Sequence, residues 1–429
     1  REMTMAKFLL QLSIGPVQGF ISAARRTRDL WFGSRLLSEI SKAAAHDLAG
    51  RPGARLIFPN PEKASQLAPD DEFRGDFLVA NIVLAEIDAA DADAAQEALE
   101  CAKTAARGRW SRLCEIARGD VATVCKDFQV GQVTQFLRED VWHAQLDEVL
   151  ELFGGVVSMD GGYADASERL RAQLAQRKNT RDFAHSADAS MLPKSSLDGR
   201  QSTVLQDVPI DDAQAKRIYR VRAALGIEPE EQLDLPGLVK RVLGRTRAFV
   251  PVAGVAADAW IEANKARLAQ ATPQYAAVAK TALGFASALK GRYAEYPWIV
   301  DFAFDGQLLY RARIDAALER LSRLKIDDEA KKDGAEALQS LRKTLHASVW
   351  DKQGQPPPYY AMLLADGDRM GKLIDAAARK GAEAHQKLSR ALSGFAQAVP
   401  ALVMQNRGAC IYSGGDDVLA LVRVDMAVA

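Results

Sequence analysis

The sequence predicts an α+β protein: two ferredoxin-like modules separated by a mainly helical region. Three observations carry this. A strand–turn–helix pattern opens the chain at residues 7–24, and the same pattern restarts at Tyr359. Between them, residues of about 120–345 follow helical spacing until Pro356, Pro357 and Pro358 stop it. The organisation expected is a first module over residues 1–150, a helical region over 151–354 and a second module over 355–429.

Residues 7–14 alternate, with Phe8, Leu10, Leu12 and Ile14 on one face and Leu9, Gln11 and Ser13 on the other. That predicts a half-buried strand. Gly15-Pro16 breaks it, and Val17, Phe20, Ile21 and Ala24 follow helical spacing, as do Leu37, Ile40, Ala44 and Leu48. Residues 54–58 and 77–85 read as strands around a polar loop, followed by an alanine-rich helix over about 91–117. Strand, helix, strand, strand, helix begins the ferredoxin-like order. In the middle region, loops are expected at 192–201 and 229–236, and residues 327–343, charged on most faces, read as a solvated helix.

The second module starts with an apolar run of strand length at 359–365, then Asp366-Gly367-Asp368, a helix over about 370–378 and a longer one over about 382–405. Strands at 409–412 and 418–422 flank Ser413-Gly414-Gly415-Asp416-Asp417, the spacing of a hairpin. Residues 9–15 lie over 362–368 as strand, turn and helix start, but the first copy has neither the acid at the turn nor the Gly-Gly-Asp-Asp hairpin. The modules therefore read as related, the first without catalytic carboxylates. The second reads as cut short, lacking a second helix and fourth strand before Ala429, and Arg1 in place of Met reads as a truncation boundary.

Composition narrows the class. With 48% hydrophobic and 26% charged residues the chain is neither membrane-like nor disordered. Lys plus Arg and Asp plus Glu number 56 each, so nucleic acid contact is confined to local patches or shared with partners. Cys101, Cys114, Cys125 and Cys410 include no C-x2-C pair, which argues against a disulfide scaffold and a zinc site. No signal peptide opens the chain and no apolar run reaches the ~18 residues that span a bilayer. The expected location is cytoplasmic.

The chemistry gathers at the second module. Asp366 ends a strand, and Asp416 and Asp417 stand at a hairpin tip. Central strands of one sheet bring such carboxylates together when they end on the same side. Nucleotidyl transfer uses two divalent ions roughly 3.5–4 Å apart, and Mg²⁺ takes a few carboxylates and otherwise keeps water and phosphate oxygens. Asp366, Asp416 and Asp417 are therefore the candidate catalytic residues and ligands for Mg²⁺ or Mn²⁺. Gly414 and Gly415 permit a tight turn and close approach of phosphates. Gly367, Asp368 and Ser413 flank them, and Gly371-Lys372 sits where a helix N-terminus and an ammonium can meet phosphates. Asp368 either ligates through water or caps the following helix. Gly-Gly-Asp-Asp alone is also an ordinary surface turn; the strand-terminal Asp-Gly-Asp about fifty residues upstream favours the catalytic reading. Arg25, Arg26 and Arg28 form the best basic cluster, with Arg25 and Arg28 on one helical face. They are candidates for contact with RNA, nucleotide or a partner, against the alternative of a solvated or internally paired helix. Trp31 reads as core or interface.

The stretch from Tyr359-Tyr360 through Asp366-Gly367-Asp368 to Gly371-Lys372, together with Tyr412-Ser413-Gly414-Gly415-Asp416-Asp417, resembles the large palm-domain subunit of type III-B (Cmr) CRISPR effector complexes. The resemblance extends to Gly15-Pro16-Val17-Gln18-Gly19-Phe20-Ile21, to the segment from Ala24 to Trp31, and to Lys194-Ser195-Ser196-Leu197-Asp198-Gly199. It implies two nucleotidyl cyclase-like palms, ATP as substrate for cyclic oligoadenylate messengers made when target RNA is captured, partner subunits and a guide RNA. Two departures follow. The histidine–aspartate nuclease domain of many relatives is missing, and His46-Asp47 lies on a helix with no upstream histidine to complete a metal set. The cysteine-rich zinc site of many relatives is replaced by residues 232–240 without cysteine, so no structural zinc is expected.

Two other readings compete. A diguanylate-cyclase-like enzyme shares the palm, but normally continues its glycines with acid-Glu-Phe, whereas Val418 follows Asp417, and its Arg-x-x-Asp motif is absent just upstream of Gly414. A non-catalytic scaffold subunit would organise partners and guide RNA. The three aspartates speak against it.

Overall fold

The computed structural model describes residues 5–179, 191–245, 249–281 and 301–428. The chain is α+β, with two small antiparallel sheets among many helices. β1 (Ala6–Gly15) leads through α1 (Gln18–Ser22) and α2 (Thr27–Ala49) to β2 (Ala54–Phe58) and β3 (Ile82–Ala89). α3 (Ala92–Asp127) and α4 (Glu139–Glu148) then return the chain to β4 (Glu151–Ser158). The sheet order β2-β3-β1-β4 is ferredoxin-like. α3 begins where Asp91 accepts a hydrogen bond from Ala94 N at 2.8 Å, so a cap sets its start.

Four details differ from expectation. The third strand starts at Ile82 rather than residue 77 and runs to Ala89, and the helix after it continues to Asp127. β4 lies beyond residue 150, inside the stretch read as helical. Its Gly154 and Gly155 explain both its place and its disguise. A Cβ at 154 would come within 2.8 Å of Leu99 on α3, and one at 155 within 2.9 Å of Gln173 on the helix packed against the opposite face. The strand is squeezed between helices on both sides, where only glycine fits. Finally, β1 is buried on both faces rather than one. Phe8, Leu10, Leu12 and Ile14 enter the main core with Phe32, Leu36, Leu99 and Trp110. Leu9, at 0% exposure, packs with Ile57 and Leu84 against α5 (Gly162–Asn179). Each such apolar side chain contributes about 1.5–3 kcal/mol.

The middle region supplies α6 (Asp212–Ala224), α7 (Leu235–Arg245), α8 (Val252–Leu268) and α9 (Thr272–Lys280), then α10 (Arg311–Arg323) and α11 (Asp328–Leu345). α7 is buried along its length and packs against α2 and α3. Arg241 on it pairs with Asp29 at 2.8 Å and with both Glu231 oxygens at 2.8 and 2.9 Å. Lys240 donates to Phe20 O at 2.8 Å and also to Ala23 O, so its ammonium ties down the C-terminal end of α1. A second core gathers Trp260, Ile261, Tyr275, Phe302 and Phe304. α11 is not a solvated helix. Gly334, Leu338, Leu341 and Leu345 form a buried stripe, three of them in this core, under a charged outer face.

The second sheet comprises β5 (Ala361–Ala365), β6 (Ala409–Gly414) and β7 (Asp417–Val422), in the order β5-β7-β6. α12 (Met370–Arg379) and α13 (Ala382–Gln405) connect β5 to β6. Val399 and Val403 of α13 pack on Val418, Ala420 and Val422, while Ala409, Ile411 and Leu421 join the main core. α13 also reaches the first module. Gln386 Nε2 donates to Leu56 O at 2.6 Å, and Tyr163 Oη and His385 Nδ1 are 2.7 Å apart. β5 is an edge strand; no strand among the described residues pairs with its outer side, and Met362 and Leu364 are 61% and 76% exposed.

Candidate active site

The register of the second sheet brings the aspartates to one end. β5 runs antiparallel to β7 with Ala361 opposite Val422 and Ala365 opposite Val418. One step further sets Asp366 opposite Asp417. Gly414 pairs with Asp417, leaving Gly415 and Asp416 as a two-residue hairpin loop. Gly415 takes φ 64°, the left-handed value such a loop needs in its first residue. Gly367 closes the arrangement: a Cβ there would stand 2.6 Å from Asp416 Cβ. The turn after β5 and the hairpin tip therefore touch through a glycine backbone.

Electrostatics follow from this crowding. Partial burial holds the Asp417 carboxyl above its ordinary range, reinforced by a hydrogen bond with Asp366 and by the charges of Asp416 and Asp366. Tyr412 lies beneath the turn; a Cβ on Gly414 would meet its Oη at 2.5 Å. Its phenol is pushed up by burial and then by Asp417 and Asp416. A bulge in β6 between Cys410 and Tyr412 precedes this contact. Bulges beside sites re-aim side chains.

The other sequence-predicted residues divide. Asp366, Asp368, Gly371 and Lys372 are exposed on the β5–α12 turn, and Gly371 and Lys372 lie in the first turn of α12. The helix N-cap is Arg369 rather than Asp368, and Arg369 takes a left-handed φ of 59°. Such a conformation costs about 1–3 kcal/mol and concentrates at functional sites. Ser413 does not face the cradle. It is buried, and its hydroxyl donates to Ala396 O at 3.1 Å, fastening β6 to α13. Arg25 and Arg28 do not share a helical face, because α2 begins at Thr27 and Arg25 precedes it. Arg25 is exposed, while Arg26 pairs with Glu228 at 3.2 Å. Trp31 is buried beside Phe249. His46 is exposed, and Asp47 pairs with Arg51 at 3.0 Å.

Sequence reasoning missed Tyr412 and Arg369 as supports of the site. Their signals, an aromatic two residues before the glycines and an arginine just after Asp-Gly-Asp, are visible only once the turns are known. Carboxylates are the donors that Mg²⁺ takes, and the set therefore fits such an ion in kind. Among the described residues no three or more His, Cys, Asp or Glu side chains are already gathered around an ion position. Mg²⁺ commonly binds through one or two carboxylates with substrate phosphates completing its shell, which the Asp366–Asp417 pair can provide.

Comparison with known proteins places both ends of the chain. Residues 359–429 match the Cas10/Cmr2 second palm domain, and residues 9–115 match the N-terminal domain of the CRISPR-associated protein Cmr2. Two segments of the chain, one near each end, are thus similar to domains of Cmr2/Cas10 proteins. The chain is 23% identical to the CRISPR system Cmr subunit Cmr2 of Pyrococcus furiosus, over 98% of this chain and 53% of that protein. It thus spans about half the length of that curated relative. Its fold matches chains of a type III-B Cmr-β complex solved in the apo state (TM-score 0.62, 14% identity, 98% of this chain and 60% of the other). A second match is to the complex bound to cognate target RNA (TM-score 0.61, 13% identity, 99% and 61%). No helix among the described residues is long and apolar enough to cross a membrane.

Proposed function

We propose that the chain is the nucleotidyltransferase subunit of a type III-B RNA-guided defence complex in the cytoplasm. With its partner subunits, guide RNA and bound target RNA it polymerises ATP into cyclic oligoadenylate. The observation that carries the reading is the hydrogen-bonded pair of Asp366 and Asp417 at adjacent strand ends, with Asp416 beside it against Gly367. Mg²⁺ or Mn²⁺, when bound, would lower the pKa of the attacking 3′-hydroxyl and neutralise phosphate charge. Asp366 and the hairpin pair would hold the ion, Gly414 and Gly415 would let the triphosphate approach the backbone, and Lys372 would meet its charge from α12. The 3′-hydroxyl of one ATP attacks the α-phosphorus of another, a new P–O bond forms, and pyrophosphate leaves in line. The hydroxyl proton passes to solvent or to a site carboxylate.

The test is mass spectrometry of products from the assembled complex with ATP, Mg²⁺ and matching target RNA. Asp416→Asn plus Asp417→Asn keeps shape but removes two charges, so synthesis should fall by orders of magnitude while RNA binding and assembly persist. Near wild-type synthesis would replace this reading with that of a scaffold subunit.

A further inference from the structure

α13 ends where the site's hairpin begins, and the junction is built around one side chain. Gly408 N donates to Val403 O at 2.8 Å and Arg407 N to Met404 O at 2.9 Å, a Schellman closure. Its left-handed position, usually glycine, is held by Arg407 at φ 58°. The reason lies at the other end of the side chain. The Arg407 guanidinium grips Asp258 of α8 with two nitrogens, Nη2 to Oδ1 at 2.6 Å, and Asp258 is 0% exposed. Arg423, immediately after β7, donates to the same carboxylate at 2.9 Å and to Glu262, one turn along α8, also at 2.9 Å. One buried carboxylate thus holds both chain ends of the β6–β7 hairpin, opposite the end that carries Asp416 and Asp417. The neighbouring Ala257 and Ile261 of α8 are packed in the helical core.

We infer that Asp258 is a positioning residue: through Arg407 and Arg423 it fixes the hairpin's base to α8, so the packing of the helical region sets where Asp416 and Asp417 stand relative to Asp366. This rests on the nucleotidyl-transfer reading only for its effect on rate. A six-residue strand is a lever of about 20 Å, so a tilt of about 3° at its base moves the tip by about 1 Å.

Arg407→Gly keeps the left-handed backbone and removes the guanidinium. In the assembled complex, amide exchange over residues 409–422 should rise about tenfold while that of β1 stays unchanged. At the same time kcat should fall by at least about tenfold, with KM for ATP within about twofold. Should Arg407→Gly fail to assemble, Arg407→Lys, which keeps the charge but not the two-pronged grip, should show the same two changes in smaller measure. Unchanged exchange in the hairpin overturns the clamp. Faster exchange with wild-type kcat overturns its role in positioning. A wild-type complex that makes no product sinks the nucleotidyl-transfer reading instead, and the exchange comparison then decides the clamp by itself.

Discussion

Replacing Gly367 with alanine adds one methyl group where the turn after β5 meets the hairpin tip. Gly367 is not among the glycines with positive φ, so alanine fits its backbone and only the contact changes. The added Cβ would stand 2.6 Å from Asp416 Cβ and 2.7 Å from Asp416 Oδ2. Reaching ordinary contact near 3.4 Å requires the two segments to part by about 0.8 Å. Overpacking of this kind costs about 1–3 kcal/mol in a closed core; a half-exposed tip yields more easily, so the thermal midpoint should move little. The rate should move far more, because misplacing a reacting group by about 1 Å costs on the order of 10²-fold. Gly394→Ala, at an exposed position within α13 with nothing within 4 Å of its Cβ position, is the matched control. It should leave synthesis intact and stabilise α13 by up to about 1 kcal/mol. Product formation by the assembled complex with ATP, Mg²⁺ and target RNA is the assay, beside thermal unfolding. Gly367→Ala at wild-type rate, or Gly394→Ala equally damaging, would refute the contact argument.

Four further outcomes are expected. Because the Asp417 carboxyl is held above its ordinary range, its contribution to stability is present in acid and lost as pH rises past 3.8 and through the raised value. Mg²⁺ should therefore raise the midpoint at pH 7 in the wild type and much less in Asp416→Asn plus Asp417→Asn; an equal rise in both would point to another binding site. His385 behaves oppositely. Burial, and next the Arg171 charge, lower its pKa from 6.5 to about 4, so the stability it provides is present above 6.5 and lost as pH falls through about 4. His385→Gln should flatten that part of a stability–pH curve. In the Arg25–Trp31 segment, Arg25→Glu at an exposed side chain should weaken binding of RNA, nucleotide or a partner subunit with little change in midpoint. Arg241→Ala, which leaves Asp29 and Glu231 buried without their cation, should cost about 3–5 kcal/mol in denaturant unfolding.

What the sequence made legible was whatever is decided locally. β1 and β5 follow runs of apolar residues, α13 runs over the span its periodicity suggested, and Gly415 marks the hairpin turn through backbone sterics. What it hid was decided by neighbours far away in the chain. β4 was hidden within a stretch that reads as helical, because the Leu99 and Gln173 side chains that make Gly154 and Gly155 necessary are distant in sequence. The charged face of α11 masked a stripe whose partners come from α9 and α10. Ser413 looked like part of a phosphate cradle because its alternation could not show α13 waiting on the buried side. Arg25 and Arg28 were separated by a helix start that no cap residue announces, since Arg26 holds the N-cap without a side-chain bond.

Among the described residues no strand covers the outer side of β5, and this has a consequence for handling residues 1–429 by themselves. The edge amides and carbonyls of β5, set beside Met362 and Leu364, form a template onto which another extended chain can dock. No proline or lysine within the strand blocks such growth. A purified sample of this chain should therefore drift toward sheet-mediated clumping on storage. A single outward lysine in place of Leu364 should keep it clear without disturbing the pairing to β7.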